Sequence, residues 1–185
     1  MNSAIKFGLL ATGMGLAMHM ADAQAIVASH YFISNAVNYC QAFTPGPANT
    51  IRNRVVGAEN VGTTPIALAC DYHTMQNGAA GATVPTDLYI YFANDNASGT
   101  TLTVTCTLLT GYQGQSSAYT VTKTTNAIAG GGTAQVGLSW HAADNPTSGA
   151  TDLGNSRIGI NCTLPPGAVA NASYLYWNMD NGVGS

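Results

Sequence analysis

Three histidines, His30, His73 and His141, and seven carboxylates follow residue 24, and they are the first places to look for chemistry. Asp71 and His73 stand two residues apart in an alternating segment, so they share a face, opposite Cys70. A carboxylate beside an imidazole can orient a general base or help to hold a metal. The plainer reading is a polar strand face running into a loop. His141 follows Trp140 and precedes Asp144. No serine lies in the Gly-x-Ser-x-Gly turn that exposes a nucleophile, and Ser139 reads as an outward-facing strand residue. Glycosidases need two carboxylates at a set separation. Glu59, Asp71, Asp87, Asp95, Asp144, Asp152 and Asp180 are dispersed and single out no pair. No catalytic residue is assigned, and the expectation is a protein that is not an enzyme, with a cryptic secreted hydrolase as the second alternative.

Asp-Asn recurs at Asp95-Asn96, Asp144-Asn145 and Asp180-Asn181. Calcium wants six to eight hard oxygens, and Asp144 with Asp152, in one long loop, is the best such pair. The spacing fits no EF-hand, and Asp and Asn are also turn formers that bond their own backbone. No cofactor is expected. The cysteines Cys40, Cys70, Cys106 and Cys162 show no C-x-x-C or His-rich zinc spacing. Tyrosine is the more promising surface chemistry. Tyr89 and Tyr91 share a strand face, as do Tyr174 and Tyr176. A tyrosine gives flat apolar area and a hydroxyl, which suits sugar rings and protein interfaces alike. Cross-strand packing within a sheet is the ordinary alternative.

These residues need strands to position them. In Thr101 to Leu108, Leu102, Val104, Cys106 and Leu108 face one way and Thr101, Thr103, Thr105 and Thr107 the other. That is the period-2 pattern of a half-buried strand. Similar alternation marks Pro65 to Tyr72, Leu88 to Phe92, Tyr119 to Thr124, Ala134 to Trp140, Ile158 to Leu164 and Ser173 to Met179. Earlier strands are expected around Ala28–Ala36 and Ile51–Ala58. No stretch has a convincing helical period. Asn94–Gly99, Gly130-Gly131-Gly132, Ala142–Asn155 and Pro165-Pro166-Gly167 are turn or loop signals. Eight or nine short strands at this spacing predict a single antiparallel β-sandwich, jelly-roll or immunoglobulin-like.

Four cysteines allow three pairings. Val104-Thr-Cys-Thr-Leu108 echoes Ile160-Asn-Cys-Thr-Leu164, which predicts a Cys106–Cys162 bridge and leaves Cys40–Cys70 for the first part of the chain.

The chain begins with one basic residue, Lys6, then an apolar run from Phe7 to Met18, then Ala21-Asp22-Ala23. Basic start, short apolar core and small-x-small end make a secretory signal over residues 1–23, cleaved before Gln24. The apolar run is too short to span a membrane. Residues 24–185 then form one disulfide-stapled domain in an oxidising compartment, periplasmic or extracellular. Charged residues make up only 7% of the chain, against roughly 25% in an ordinary domain. The four bases after the signal, Arg52, Arg54, Lys123 and Arg157, are too scattered to track phosphates, so nucleic acid is excluded as a partner. A surface so poor in charge associates readily, because little repulsion keeps copies apart.

Cys40-Gln41, Asn60, Ala69-Cys70, Val104 to Leu108 and Asn161-Cys-Thr-Leu-Pro-Pro-Gly167 resemble the motifs of a diffuse group of uncharacterised secreted bacterial β-sandwich proteins. Those chains share a Cys-Gln near the mature start and a Cys-x-Leu-Pro near the end. The resemblance implies a bacterial, extracytoplasmic β-domain and carries over no activity. Where the group has a proline after the second cysteine, this chain has Asp71.

The expected function is therefore that of a secreted β-sandwich acting through its surface. It would be a structural or self-assembling cell-surface or filament subunit, or an adhesion module, and its partner would be itself or another cell-surface protein. The first alternative is a carbohydrate-binding module that meets a polysaccharide on Tyr89, Tyr91, Tyr174 and Tyr176.

Overall fold

The computed structural model describes residues 27–42, 50–55, 57–73, 84–111, 118–154 and 157–180. The signal segment expected over residues 1–23 lies outside them. Thirteen strands occur among the described residues. They are β1 (Val27–Asn35), β2 (Cys40–Ala42), β3 (Ile51–Arg54), β4 (Gly57–Asn60), β5 (Ile66–His73), β6 (Pro85–Asn94), β7 (Thr101–Leu102), β8 (Thr105–Thr110), β9 (Tyr119–Thr124), β10 (Ile128–Ala129), β11 (Gln135–His141), β12 (Arg157–Leu164) and β13 (Ala168–Asp180). A single helical turn, α1 (Ala36–Tyr39), joins β1 to β2.

Every strand ladder is antiparallel. One sheet runs β11-β6-β13-β4-β3, with β1 also paired to β13. The other runs β2-β5-β12-β8-β9, and β7 with β10 makes a small ribbon. The inner rows of both large sheets meet in one core. Leu88, Ile90, Phe92, Leu138, Trp140 and Leu175 come from the first sheet. Leu68, Tyr72, Leu108, Ile158, Ile160 and Leu164 come from the second. Each is an alternate residue of its strand, as the period-2 pattern requires. The chain is an antiparallel β-sandwich, as the alternation predicts.

Two expected strands are broken. Ile51–Ala58 is a hairpin, because β3 turns back on β4 with Arg54 paired to Gly57. Glycine is needed there: a Cβ on Gly57 would stand 2.4 Å from the Ala170 carbonyl oxygen of β13. Thr101–Leu108 is divided between β7 and β8. At the break the Thr125 hydroxyl takes the Val104 N–H at 3.0 Å, and the Thr125 N–H bonds the Val104 carbonyl at 2.9 Å. Conversely, β13 runs longer than the expected Ser173–Met179, starting directly after the Pro165–Gly167 turn.

Both disulfides form as the echo predicts: Cys40–Cys70 and Cys106–Cys162. Each joins directly opposed residues of neighbouring strands, β2 with β5 and β8 with β12. Cys70, Cys106 and Cys162 are buried. Sequence separations of 30 and 56 residues correspond to about 4 kcal/mol each in the chain-entropy account. No helix among the described residues is long and apolar enough to cross a membrane.

With few charges, polar side chains close the loops. The buried Asn60 amide donates to the Thr64 and Leu164 carbonyls, and its oxygen takes the Gly62 N–H. The buried Asn94 does the same with Ile128 and Asn96. Glu59, 4% exposed, accepts from Arg52 at 2.8 Å and Arg54 at 2.6 Å. Arg54 also pairs with Asp95.

Among the described residues Tyr72 is the exception to this satisfied interior. Its ring stacks on Tyr39, with centroids 6.1 Å apart, but its buried hydroxyl makes no hydrogen bond to any of them. Burial pushes the phenol from 10.0 up to about 12, with Ser173 opposing. Tyr72→Phe keeps the ring and removes the orphan, so its stability at pH 7 should equal or exceed the wild type. The unfolded phenol ionises near 10 and the folded one near 12. The folded state therefore holds its proton longer, and stability present below pH 10 is lost as pH rises toward 12. Urea unfolding at pH 7 and pH 11 should show a smaller alkaline loss in Tyr72→Phe. An equal or larger loss would remove Tyr72 as its source.

Candidate functional site

The outer face of the sheet β11-β6-β13-β1 is built in rows, because the register aligns alternate residues across strands. One row holds Ser139, Tyr89, Tyr174 and Ile33. The next holds His141, Asp87, Tyr176 and Tyr31. Gly137 lies opposite Tyr91 in the row beyond. The tyrosine pairs Tyr89/Tyr91 and Tyr174/Tyr176 come together on one surface because β6 pairs with β13.

The rings interlock. Tyr89 meets Tyr176 edge to face with centroids 5.6 Å apart, and Tyr91 meets Tyr174 in the same way at 5.6 Å. Tyr31 extends the array to Tyr176 at 5.9 Å. Such tilted pairs are favourable beyond their buried area, because ring edges and faces carry opposite partial charge. The four tyrosines of β6 and β13 are half-buried, whereas Tyr31 and Ile33 are 62% and 51% exposed. Crowding shows in the Tyr89 phenol, raised by burial, by the Asp87 charge and by Tyr176 and Tyr91.

Gly137 makes room for this array. A Cβ there would lie 3.0 Å from Cε1 of the Tyr91 ring, which covers the space a side chain would fill.

At the β11 edge the array meets a polar chain. His141 Nδ1 stands 2.6 Å from an Asp87 carboxylate oxygen, and His141 Nε2 stands 3.0 Å from Ser139 Oγ. The imidazole also packs edge-on against Tyr89, with centroids 5.4 Å apart. The His141 and Asp87 side chains are 42% and 32% exposed, so solvent reaches them. The backbone beneath is fixed to the other sheet. Lys123 Nζ of β9 donates to the Ser139 carbonyl at 2.8 Å and to Asp144 at 2.7 Å. Trp140 Nε1 donates to the Val121 carbonyl at 3.2 Å.

Asp144 and Asp152 do not act together. Asp144 takes Lys123 and the His141 N–H. Burial opposes its charge, but those two donors hold its carboxyl below the ordinary range. Asp152 takes the Gly154 N–H in an Asx turn, and Asn145 takes the Thr147 N–H in another. No group of three acids, histidines or cysteines able to hold a metal occurs among the described residues. Asp71 lies on the other sheet, 3.4 Å from Arg157. The side chains of His73 and His30 lie outside the description.

Sequence reasoning missed Asp87, Ser139 and Ile33 as members of this face, and it noted His141 without a partner. Ser139-x-His141 and Asp87-x-Tyr89 are each an i, i+2 pair that must share a strand face. What was missing was the pairing of β11 with β6 that sets Asp87 opposite His141.

No family model matches the chain, and no curated protein matches it. Solved structures that are loosely similar include the following three. TmCBM61 in complex with β-1,4-galactotriose aligns at TM-score 0.34 and 8% identity, over 82% of this chain and 88% of that one. A structure titled "CBM4 structure and function" aligns at 0.36 and 11%, over 80% and 86%. The enzymatically active domain of bacteriophage CBA120 tailspike protein 4 aligns at 0.34 and 13%, over 83% and 19%. At these scores no family or function is assigned from them.

The Gly137 contact gives a test of the array. Gly137→Val should push the Tyr91 ring off β11 and part it from Tyr174. The tyrosine signal in near-ultraviolet circular dichroism should fall, while stability changes by no more than about 1 kcal/mol, since valine suits an exposed strand better than glycine. An unchanged spectrum would show that the ring does not need that space.

Proposed function

We propose that this protein is an extracytoplasmic β-sandwich that binds carbohydrate on the tyrosine face of β6, β13 and β1. The observation that carries the reading is the interlocked array of Tyr31, Tyr89, Tyr91, Tyr174 and Tyr176 on one outer sheet face. Sugar rings present flat C–H faces that stack on aromatic rings, and hydroxyls that need hydrogen-bond partners. The phenol groups and the neighbouring Ser139, His141 and Asp87 supply those partners. The near-absence of charge fits a neutral ligand, whose recognition gains nothing from long-range steering. The two disulfides are consistent with an extracellular setting.

A second reading, an adhesive or self-assembling subunit, draws on Ile33. Its 51% exposure on the same face, beside Tyr31 at 62%, offers apolar area to another protein or a second copy.

Retention on cellulose, chitin, xylan, galactan and mannan, with a glycan array, tests the first reading. At least one polysaccharide should retain the protein. Tyr89→Ala and Tyr174→Ala should each weaken retention about tenfold, one step of about 1.4 kcal/mol. No retention on any glycan would overturn it. Concentration-dependent assembly abolished by Ile33→Asp would instead favour the second.

A further inference from the structure

Ser139, His141 and Asp87 stand in the order of a nucleophile, a base and the group that orients the base. Oγ of Ser139 is 3.0 Å from one imidazole nitrogen, and an Asp87 carboxylate oxygen is 2.6 Å from the other. The tautomer follows from the partners. Asp87 only accepts, so Nδ1 carries the proton and donates it, and Nε2 is left to accept from the Ser139 hydroxyl. Such a constellation is recognised by its geometry and roles, whatever its fold or chain order. The backbone under it is held in place: Lys123 Nζ fixes the Ser139 carbonyl, and the His141 N–H bonds Asp144 at 2.9 Å.

We propose that Ser139 is an activated nucleophile and that this corner of the face hydrolyses esters. Ser139 Oγ attacks the ester carbonyl carbon while His141 Nε2 takes the hydroxyl proton. The bond from that carbon to the alkoxy oxygen breaks, and His141 returns the proton to the departing alcohol. Water then attacks the acyl-serine, giving His141 a proton and releasing the carboxylic acid. The proton returns to Ser139. Asp87 is a positioning residue, holding the tautomer that leaves Nε2 free. The substrate class follows from the open surroundings. Solvent reaches His141 and Asp87, so charge stabilisation is weaker than in a closed site. Esters, whose alcohols leave more readily than amines, fit such a site better than amides. Tyr89 is paired with Ser139 across the strands, so a sugar stacked on it would bring an O-acyl group to Oγ. That choice of acyl sugar rests on the carbohydrate reading; the reactivity of Ser139 does not.

The test uses the protein without any glycan, so its outcome is independent of polysaccharide retention. A fluorophosphonate probe phosphonylates an activated serine, and intact-mass and peptide mass spectrometry locate the adduct. One adduct should form on Ser139 and be absent from Ser139→Ala. His141→Gln should slow labelling about 100-fold, the ordinary contribution of a general base. Asp87→Asn should slow it too, with Asp87→Glu restoring part of the rate and the melting temperatures unchanged. The same variants should lose 4-nitrophenyl acetate hydrolysis in parallel. No adduct on the folded protein, or an equal rate in His141→Gln, would overturn the proposal.

Discussion

The register of one strand governs both the core and the outer face. β13 pairs along one side with β6, and along the other with β4 at its start and β1 afterwards. Side chains alternate, so placing Ser173 and Leu175 inside puts Tyr174 and Tyr176 outside. A slip of one residue would exchange the two sets, driving two tyrosines into the core and Leu175 into water. The register shifts between Ala170 and Ser173, so that Ala168 and Ala170 also stay buried against the core. β6 is bound by the same logic, with Leu88, Ile90 and Phe92 inside and Tyr89 and Tyr91 outside. The aromatic face is thus the reverse side of the core, and its geometry is as firmly fixed as the packing beneath it.

The shortage of charge shapes the rest. The ends of the strands are closed by neutral amides, Asn60 and Asn94, that bond backbone several strands away. A buried amide bonded to backbone avoids the desolvation cost of a buried ion. The few charges present are mostly spent in pairs: Glu59 with Arg52 and Arg54, Asp144 with Lys123, and Asp71 with Arg157. Asp87 is different, for its partner is an imidazole whose second nitrogen meets a hydroxyl. A carboxylate engaged this way orients a group that can move a proton, whereas the others fix only shape.

Much of this was legible because period-2 alternation is local. Cys106 and Cys162 could be placed inward from their own neighbours, and the echo between their strands gave the bridge. The need for glycine at position 57 of the hairpin was not legible, since it comes from the Ala170 carbonyl, more than a hundred residues away. The division near Val104 depends likewise on Thr125. The tyrosine pairs were visible within their strands, but their meeting depends on β6 lying beside β13. The Ser139–His141–Asp87 chain has one half in each category. Ser139 and His141 share a face by spacing, while Asp87 arrives through cross-strand pairing 54 residues away from the histidine.

The two outer faces use their hydroxyls differently, and the difference favours one of them for the proposed function. On β8 and β9 the threonines satisfy each other, Thr105 with Thr124 and Thr107 with Thr122, both at 2.8 Å. Beside them lies a shallow groove of about 430 Å³ lined by Ala69, Thr107, Leu109, Thr120, Gly159 and Asn161. A ligand there would meet mostly small or aliphatic side chains, and the Thr107 hydroxyl is already engaged with Thr122. On β6, β13 and β1 the exposed material is aromatic. Its rings offer area that water solvates poorly, and its hydroxyls lie at the ends of rigid side chains with little rotamer freedom to lose. Ordering a partner against such a surface costs less than ordering flexible side chains would. The tyrosine face is therefore where contact area, preorganisation and a proton-moving group coincide.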